Sequence, residues 1–175
     1  MRRLLVFTVL LLAASVFLNA QGEVIEVEQS SGFVEALLAN LGWRAAVVGR
    51  QLPPASVLTS WVGATAKLSY ADSIITVGQL THLTVLELGT GLVRISLEAG
   101  DIRVDTSTVT YELQFRDFAV RIEKGAVILS DGILTVESGS VQLNAAQNGP
   151  MRVVPGSPMD LLSSAQGPVF LQDEH

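Results

Sequence analysis

The sequence contains no cysteine. This absence excludes disulfide bonds, thiolate catalysis, thiolate metal sites and a lipid attached to a cysteine after signal cleavage. Charged residues are also scarce, at 16% of the chain, against about 25% in an average soluble domain. The 175 residues therefore have to fold through packing alone, and a chain of this length can bury a core without staples.

Histidine is almost absent, and candidate catalytic groups are correspondingly few. The two histidines are His82 and His175, and neither has a second ligand at metal-site spacing. No Gly-x-Ser-x-Gly motif occurs. Nothing singles out two of the seventeen acids as a pair for glycoside cleavage. We therefore expect no enzymatic activity, no metal site and no cofactor.

The first twenty residues have the order of a secretory signal peptide. Arg2 and Arg3 precede an uncharged, apolar-rich run over residues 4–18, and Ala20 is a small residue at the cleavage point. The run is short for a membrane span, which needs about 20 apolar residues. We expect residues 1–20 to be removed after Ala20, with a retained N-terminal anchor as the alternative. The mature chain would then be periplasmic or secreted. The absence of cysteine favours a bacterial envelope protein, because small eukaryotic secreted modules more often carry disulfides.

The charge balance argues against nucleic acid as a partner. The chain carries 11 basic and 17 acidic residues, a net charge of −6. Loss of Arg2 and Arg3 with the signal would change this to −8. Binding to nucleic acid relies on Lys and Arg contacts with phosphates, which an acidic surface does not offer.

Three short stretches repeat one pattern, centred on Gly100, Gly125 and Gly139. Each glycine has a glutamate two residues before it and large apolar residues at positions −5, −3, +2 and +4. This spacing predicts a strand, a tight corner at glycine and a second strand, each with one face in a core. Such units cannot bury their apolar faces alone and have to stack. The apolar residues are Ile95, Leu97, Ile102, Val104, Val120, Ile122, Val127, Leu129, Leu134, Val136, Val141 and Leu143.

Most of the remaining chain has the pattern of short strands between turn residues, which predicts one all-β domain over residues 22–156. The predicted strands include residues 24–27, 46–48, 66–68, 74–77, 83–86 and 93–97. Residues 33–41 are compatible with a helix or a strand pair, and we prefer strands. Pro53 and Pro54 have to lie outside a sheet. We expect the paired sheet to end near Val154 and residues 157–175 to form a loosely ordered tail.

The glutamates of the repeats, Glu98, Glu123 and Glu137, have two interpretations. Stacked in register, they would line one edge, where like charges raise pKa values or attract a cation. Alternatively, they keep exposed strand ends soluble and discourage edge pairing. We favour the second interpretation.

In sequence order, the segments resemble the periplasmic FecR domain family. The resemblance covers most of residues 22–156 and includes the three glycine corners. This chain departs from the family at Ala55, where glycine is usual, and at residues 71–73, where Asp-Gly-Ser is replaced by Ala-Asp-Ser. Lys124-Gly125-Ala126 likewise replaces Arg-Gly-Thr. The matching segments are WRAAVVG at 43–49, LPPASVLT at 52–59, ATAKL at 64–68, DSIITV at 72–77 and LTHLTV at 80–85.

The resemblance implies an all-β fold of short strands joined by Gly-centred corners, a twisted β-solenoid or sandwich-like FecR domain. It also makes residues 33–41 strand, and it gives Trp43 a structural position. Family members are often membrane-spanning regulators with a cytoplasmic sigma-factor-binding segment. Here only three residues precede the apolar run, so we expect a stand-alone module.

The sequence and the resemblance together predict an exported, non-catalytic module of the bacterial envelope that binds a protein or a cell-wall glycan. Trp61 is our candidate contact residue because it lies in a predicted turn and tryptophan is enriched at binding hot spots. Open sheet edges are a second route, through strand addition. The alternative is a periplasmic carrier of amphipathic lipid with a groove between stacked strands.

Overall fold

The computed structural model describes residues 24–145, 149–156, 158–162 and 169–170. Every regular element among them is a β-strand, as the alternating pattern predicts. The strands are β1 Ile25–Ser31, β2 Val34–Leu38, β3 Gly42–Ala45, β4 Gln51–Leu52, β5 Val57–Ser60, β6 Thr65–Tyr70, β7 Ser73–Val77, β8 His82–Gly89, β9 Leu92–Ala99, β10 Ile102–Thr106, β11 Thr110–Phe115, β12 Phe118–Ser130, β13 Ile133–Ala145, β14 Met151–Val153, β15 Met159–Asp160 and β16 Val169–Phe170.

One continuous hydrogen-bonded sheet curls into two walls around the core. The first wall runs in the order β3, β2, β5, β8, β9, β11 and then the first half of β12. The second wall runs β4, β1, β6, β7, β10 and then the second half of β12. Strands occupy matching positions in the two walls because the chain repeatedly crosses from one wall to the other. Each crossing packs on the previous one.

Four crossings lie side by side, at residues 32–33, 61–64, 78–81 and 100–101. We call them the front crossings. Backbone hydrogen bonds join neighbours in this row, from Trp61 N to Phe33 O at 3.1 Å and from Gly78 N to Asp101 O at 2.8 Å. After Gly100 the chain runs along β10, returns through residues 107–109 and enters β11 parallel to β9. This full turn accounts for the one parallel pair among the described strands.

The other two glycine corners bend long strands without interrupting them. β12 and β13 each have thirteen residues, and Gly125 pairs with Gly139 at their common bend. Register shifts on either side of Gly125 mark β-bulges, which increase local bending. Thr106 pairs with Gly125, so this bend lies at the end of β10 remote from Gly100. The expected succession of two strands joined by a tight corner therefore holds at Gly100, whereas Gly125 and Gly139 lie inside single bent strands.

The twelve apolar positions of the repeats are all buried, none more than 2% exposed. They belong to one hydrophobic core that includes residues from both walls. Burying a Val, Leu or Ile side chain contributes about 1.5–3 kcal/mol, so this pattern is the main source of stability in a chain without disulfides. The all-β prediction is confirmed, and so is strand structure within residues 33–41, where β2 forms.

Three sequence-based expectations need correction. Residues 46–48 are not a strand but part of the connection from β3 to β4, because the chain changes walls there. The sheet does not end near Val154, since β15 pairs with β13 and buries Met159 completely. The tail prediction was thus wrong for residues 158–162, where apolar side chains cover the start of β13. The predicted signal peptide, residues 1–20, lies outside the described residues, as does most of the remaining tail.

Candidate functional site

An exposed apolar surface runs along the front crossings. Phe33 is 56% exposed, Trp61 50%, Val62 77% and Leu80 56%. These four residues, which we call the corner surface, come from three successive crossings. Exposed apolar side chains that gather on neighbouring segments, unlike singly scattered ones, mark interaction surfaces.

The backbone holds the corner surface in a fixed arrangement. Trp61 N donates to Phe33 O, and Leu80 N donates to Trp61 O at 3.5 Å, so the three crossings form one ladder. Gly32, with φ of +73°, lies so close to the next crossing that a Cβ would come within 2.8 Å of Ala64 Cα. The corner therefore requires glycine both for its dihedral angle and for the close approach.

The Trp61 ring has two side-chain contacts. Its centroid lies 5.9 Å from that of Phe33, with the ring planes tilted by 46°. Aromatic pairs favour this separation. The indole N–H points to Glu35 Oε2 at 3.4 Å, a long hydrogen bond. Half of Trp61 remains in water, so the ring is positioned but not covered.

Leu80 is exposed in an unfavourable backbone conformation. Its φ of +53° lies in the left-handed region, which costs a non-glycine residue roughly 1–2 kcal/mol. Because the Leu80 side chain is largely exposed, its burial does little to offset this cost in the isolated chain. Strained positions of this kind cluster at functional sites, and this one adjoins Trp61.

Buried hydroxyls stiffen the layer beneath the corner surface. Ser60 Oγ donates to Gly78 O at 2.5 Å and accepts from Thr81 N at 3.0 Å. Thr81 Oγ1 accepts from Asp101 N at 2.9 Å. Ser60 and Thr81 are at most 2% exposed, and satisfied buried polar networks of this kind rigidify a structure. The aromatic surface therefore stands on a preorganised base.

The repeat glutamates do not line one edge. Glu98 lies by the front crossings, whereas Glu123 and Glu137 adjoin the bend at Gly125 and Gly139. Each is exposed and contacts a different basic group: Glu98 contacts His82 at 3.7 Å, Glu123 contacts Arg121 at 3.5 Å and Glu137 contacts Arg103 at 2.8 Å. This arrangement matches the interpretation as solvated strand ends.

His82 is a partly exposed residue at the start of β8. Its Nδ1 lies 2.8 Å from Thr59 Oγ1, and its Nε2 faces Glu98. The described residues contain no cluster of three or more His, Asp or Glu side chains placed to hold a metal ion. His175 lies outside the described residues.

The structure agrees with the expected exposure of Trp61 and disagrees with the structural position expected for Trp43. Trp61 is exposed in a turn, as expected from its position. Trp43, expected to be structural, is 45% exposed because β3 is an edge strand and all four of its residues face solvent. Sequence reasoning missed Phe33, Val62 and Leu80 as surface residues. Their one signal was the adjacency of Phe33 and Val62 to corner glycines.

Comparison with known proteins concerns the fold. No protein-family model and no curated protein matches the sequence. Two crystal structures, each described as a "putative anti-sigma factor" from Parabacteroides distasonis, are similar in structure, with TM-scores of 0.55 and identities of 12% and 11%. Each match covers 67% of this chain and 60% of the other, so this chain matches less than two thirds of their length. The neighbours share the all-β architecture.

None of the described segments forms a helix with the length and apolar character that a bilayer crossing requires.

Proposed function

We propose that this chain is an exported, non-catalytic, FecR-like module of the bacterial cell envelope that binds another protein through the corner surface. The observation that carries the proposal is the exposure of Phe33, Trp61, Val62 and Leu80 on a rigid row of crossings. Tryptophan is enriched among the residues that dominate binding energy. The signal-like N-terminus and the FecR resemblance support the envelope location.

A protein partner fits this surface better than a cell-wall glycan. The Trp61 ring packs against Phe33, and its indole N–H points to Glu35. Val62 and Leu80 are exposed on the same row of crossings. Sites for small polar ligands combine apolar walls with several convergent polar groups. A signalling or scaffold role agrees with the description of the fold neighbours as anti-sigma factors.

Photocrosslinking in the envelope tests the surface directly. A photoreactive phenylalanine analogue replaces Val62, and the matched control carries it at Val154, which is 53% exposed and remote in sequence. We expect a discrete crosslinked protein from position 62 and none from position 154. Equal products from both positions, or none from 62, would overturn the proposal.

Affinity measurements with that partner then identify the contacts. Trp61→Ala should weaken binding at least thirtyfold, the effect of losing a hot-spot side chain worth about 2 kcal/mol or more. Val62→Asp should also weaken binding, whereas Val48→Asp, at a 66% exposed valine outside the corner surface, should not. Peptidoglycan fragments that bind with Trp61 dependence while no protein does would favour the glycan instead.

A further inference from the structure

A second exposed apolar feature lies at the end of the molecule formed by β3 and β4. This end groove has a volume of about 540 Å³ and is lined mainly by Leu38, Leu41, Val47, Val48 and Pro53, together with Arg50. It shares no residue with the corner surface. Its volume falls within the roughly 300–1,000 Å³ that is usual for small-molecule sites.

The groove exists because the stack of crossings stops here. In the described chain, β3 pairs with β2 and β4 pairs with β1, and no further strand follows on either wall. Apolar side chains that a further unit would cover remain in water: Leu41 is 52% exposed, Val47 52% and Val48 66%. Terminal units of stacked folds commonly carry a polar outer face, and this one does not.

Arg50 gives the aliphatic groove an unmatched positive charge. None of the carboxylates in the described residues forms an ion pair with it. Elsewhere Arg94 and Arg103 each contact two acidic side chains. An anionic ligand would supply a counter-charge and accept charge-assisted hydrogen bonds from the guanidinium.

We propose that the end groove binds a single-chain amphiphile with an anionic head group, with its alkyl chain on Leu41, Val47 and Val48 and its head on Arg50. A carboxylate and a phosphate would both satisfy the guanidinium. The aliphatic lining suits an alkyl chain, and the volume suits one small ligand. The lipid-carrier alternative placed a groove between stacked strands, but buried side chains fill the interior there. The groove proposed here lies instead at the open end of the stack.

Displacement of cis-parinaric acid fluorescence provides the test, on protein purified after expression of the full-length sequence. The competitors are palmitate, lysophosphatidylglycerol and the uncharged hexadecanol. We expect saturable binding of one molecule per chain, with hexadecanol at least tenfold weaker than the better anion. The ranking of palmitate against lysophosphatidylglycerol identifies the preferred head group.

Two variants distinguish the contribution of the Arg50 charge to binding from that of the apolar groove wall. Arg50→Gln should weaken the anionic competitor about tenfold and leave hexadecanol unchanged, because a hydrogen bond to a charged group is lost. Val48→Asp should weaken all competitors. Val62→Asp, at an exposed valine of the corner surface, is the matched control and should bind like the unaltered chain.

The proposal fails if no probe binds saturably, if Val48→Asp binds normally, or if Arg50→Gln weakens hexadecanol as much as the anion. It also fails if the unaltered chain forms a dimer that excludes the probe and Val48→Asp is monomeric, since a second copy then occupies the groove. The proposal likewise fails if intact-mass measurement shows that residues 1–20 are retained and no probe binds. The chain's own N-terminus would then occupy the groove. None of these results affects crosslinking at position 62.

Discussion

Gly125 and Gly139 lie directly opposite each other where β12 and β13 bend together. A Cβ on Gly125 would lie 2.1 Å from Ser138 O, and a Cβ on Gly139 would lie 2.1 Å from Lys124 O. Both residues also have positive φ, +130° and +79°. The glycine spacing seen in the sequence therefore corresponds to backbones that approach too closely for any side chain.

Gly139→Ala should destabilise the domain by about 2–4 kcal/mol, through backbone strain and overpacking together. The clash involves a carbonyl oxygen of the paired strand, which cannot move away as a flexible side chain would. Urea unfolding at neutral pH measures the loss. Gly149→Ala is the control, because a Cβ there meets nothing within 4 Å. Equal stability of the two variants would contradict the close approach.

Ala55→Gly should stabilise the protein. Ala55 has φ of +67°, and the strain that glycine relieves exceeds the entropy it adds to the unfolded chain by about 0.5–1 kcal/mol. The expected rise in Tm is roughly 2–4 °C per kcal/mol at this size, measured by thermal unfolding. Ala71→Gly should behave similarly at φ of +53°. Ala99→Gly, at the end of β9 where φ is not positive, should instead lower Tm.

Tyr111→Phe should be neutral or stabilising at pH 7, by up to about 1 kcal/mol, because it removes a buried polar group that is only weakly bonded. The Tyr111 hydroxyl is buried and interacts with Ser73 without forming a hydrogen bond of good geometry, while Ser73 Oγ donates to Thr106 at 2.9 Å. Tyr70→Phe is the contrasting control, since the Tyr70 hydroxyl donates to Gly89 O at 3.1 Å. We expect Tyr70→Phe to be destabilised in urea titrations, and a larger loss for Tyr111→Phe would show that the hydroxyl is satisfied.

The same tyrosine should make stability fall in alkali. Burial raises the pKa of Tyr111 to about 12, from an ordinary value of 10.0. The folded state keeps the proton longer than the unfolded state, so this contribution is complete below pH 10 and is lost as pH rises toward 12. Unfolding of the wild type at pH 9 and pH 11 should show the loss, and Tyr111→Phe should show less of it.

Asp72 should titrate below its ordinary range. Hydrogen bonds from Ser107 and Thr108 lower the pKa of this exposed carboxyl from 3.8. Its contribution to stability is present above 3.8 and is lost as pH falls through the lower folded-state value. Carbon-detected NMR titration should show the Asp72 pKa rising toward 3.8 in Ser107→Ala. An unchanged value would mean that Ser107 does not bond to the carboxylate.

Local pattern was sufficient for the strands and the core but not for the surfaces. Alternation of apolar residues with a period of two reports which face of a strand is buried, and all twelve repeat positions follow it. Trp43 was misassigned because its exposure depends on β3 being the last strand of the wall, which is a non-local fact. The pairing of β15 with β13 was missed for the same reason.

The sequence by itself determined an all-β chain with glycine corners, a disulfide-free core and an acidic surface, because these follow from residue type and short spacing. Only the tertiary structure decided which corners are neighbours. Phe33, Trp61 and Leu80 are far apart in the chain and meet because three crossings stack, and Arg50 lies in the lining of the groove at the end of that stack. Strand pairing is chosen by the whole set of registers and burials, which no short window of sequence contains.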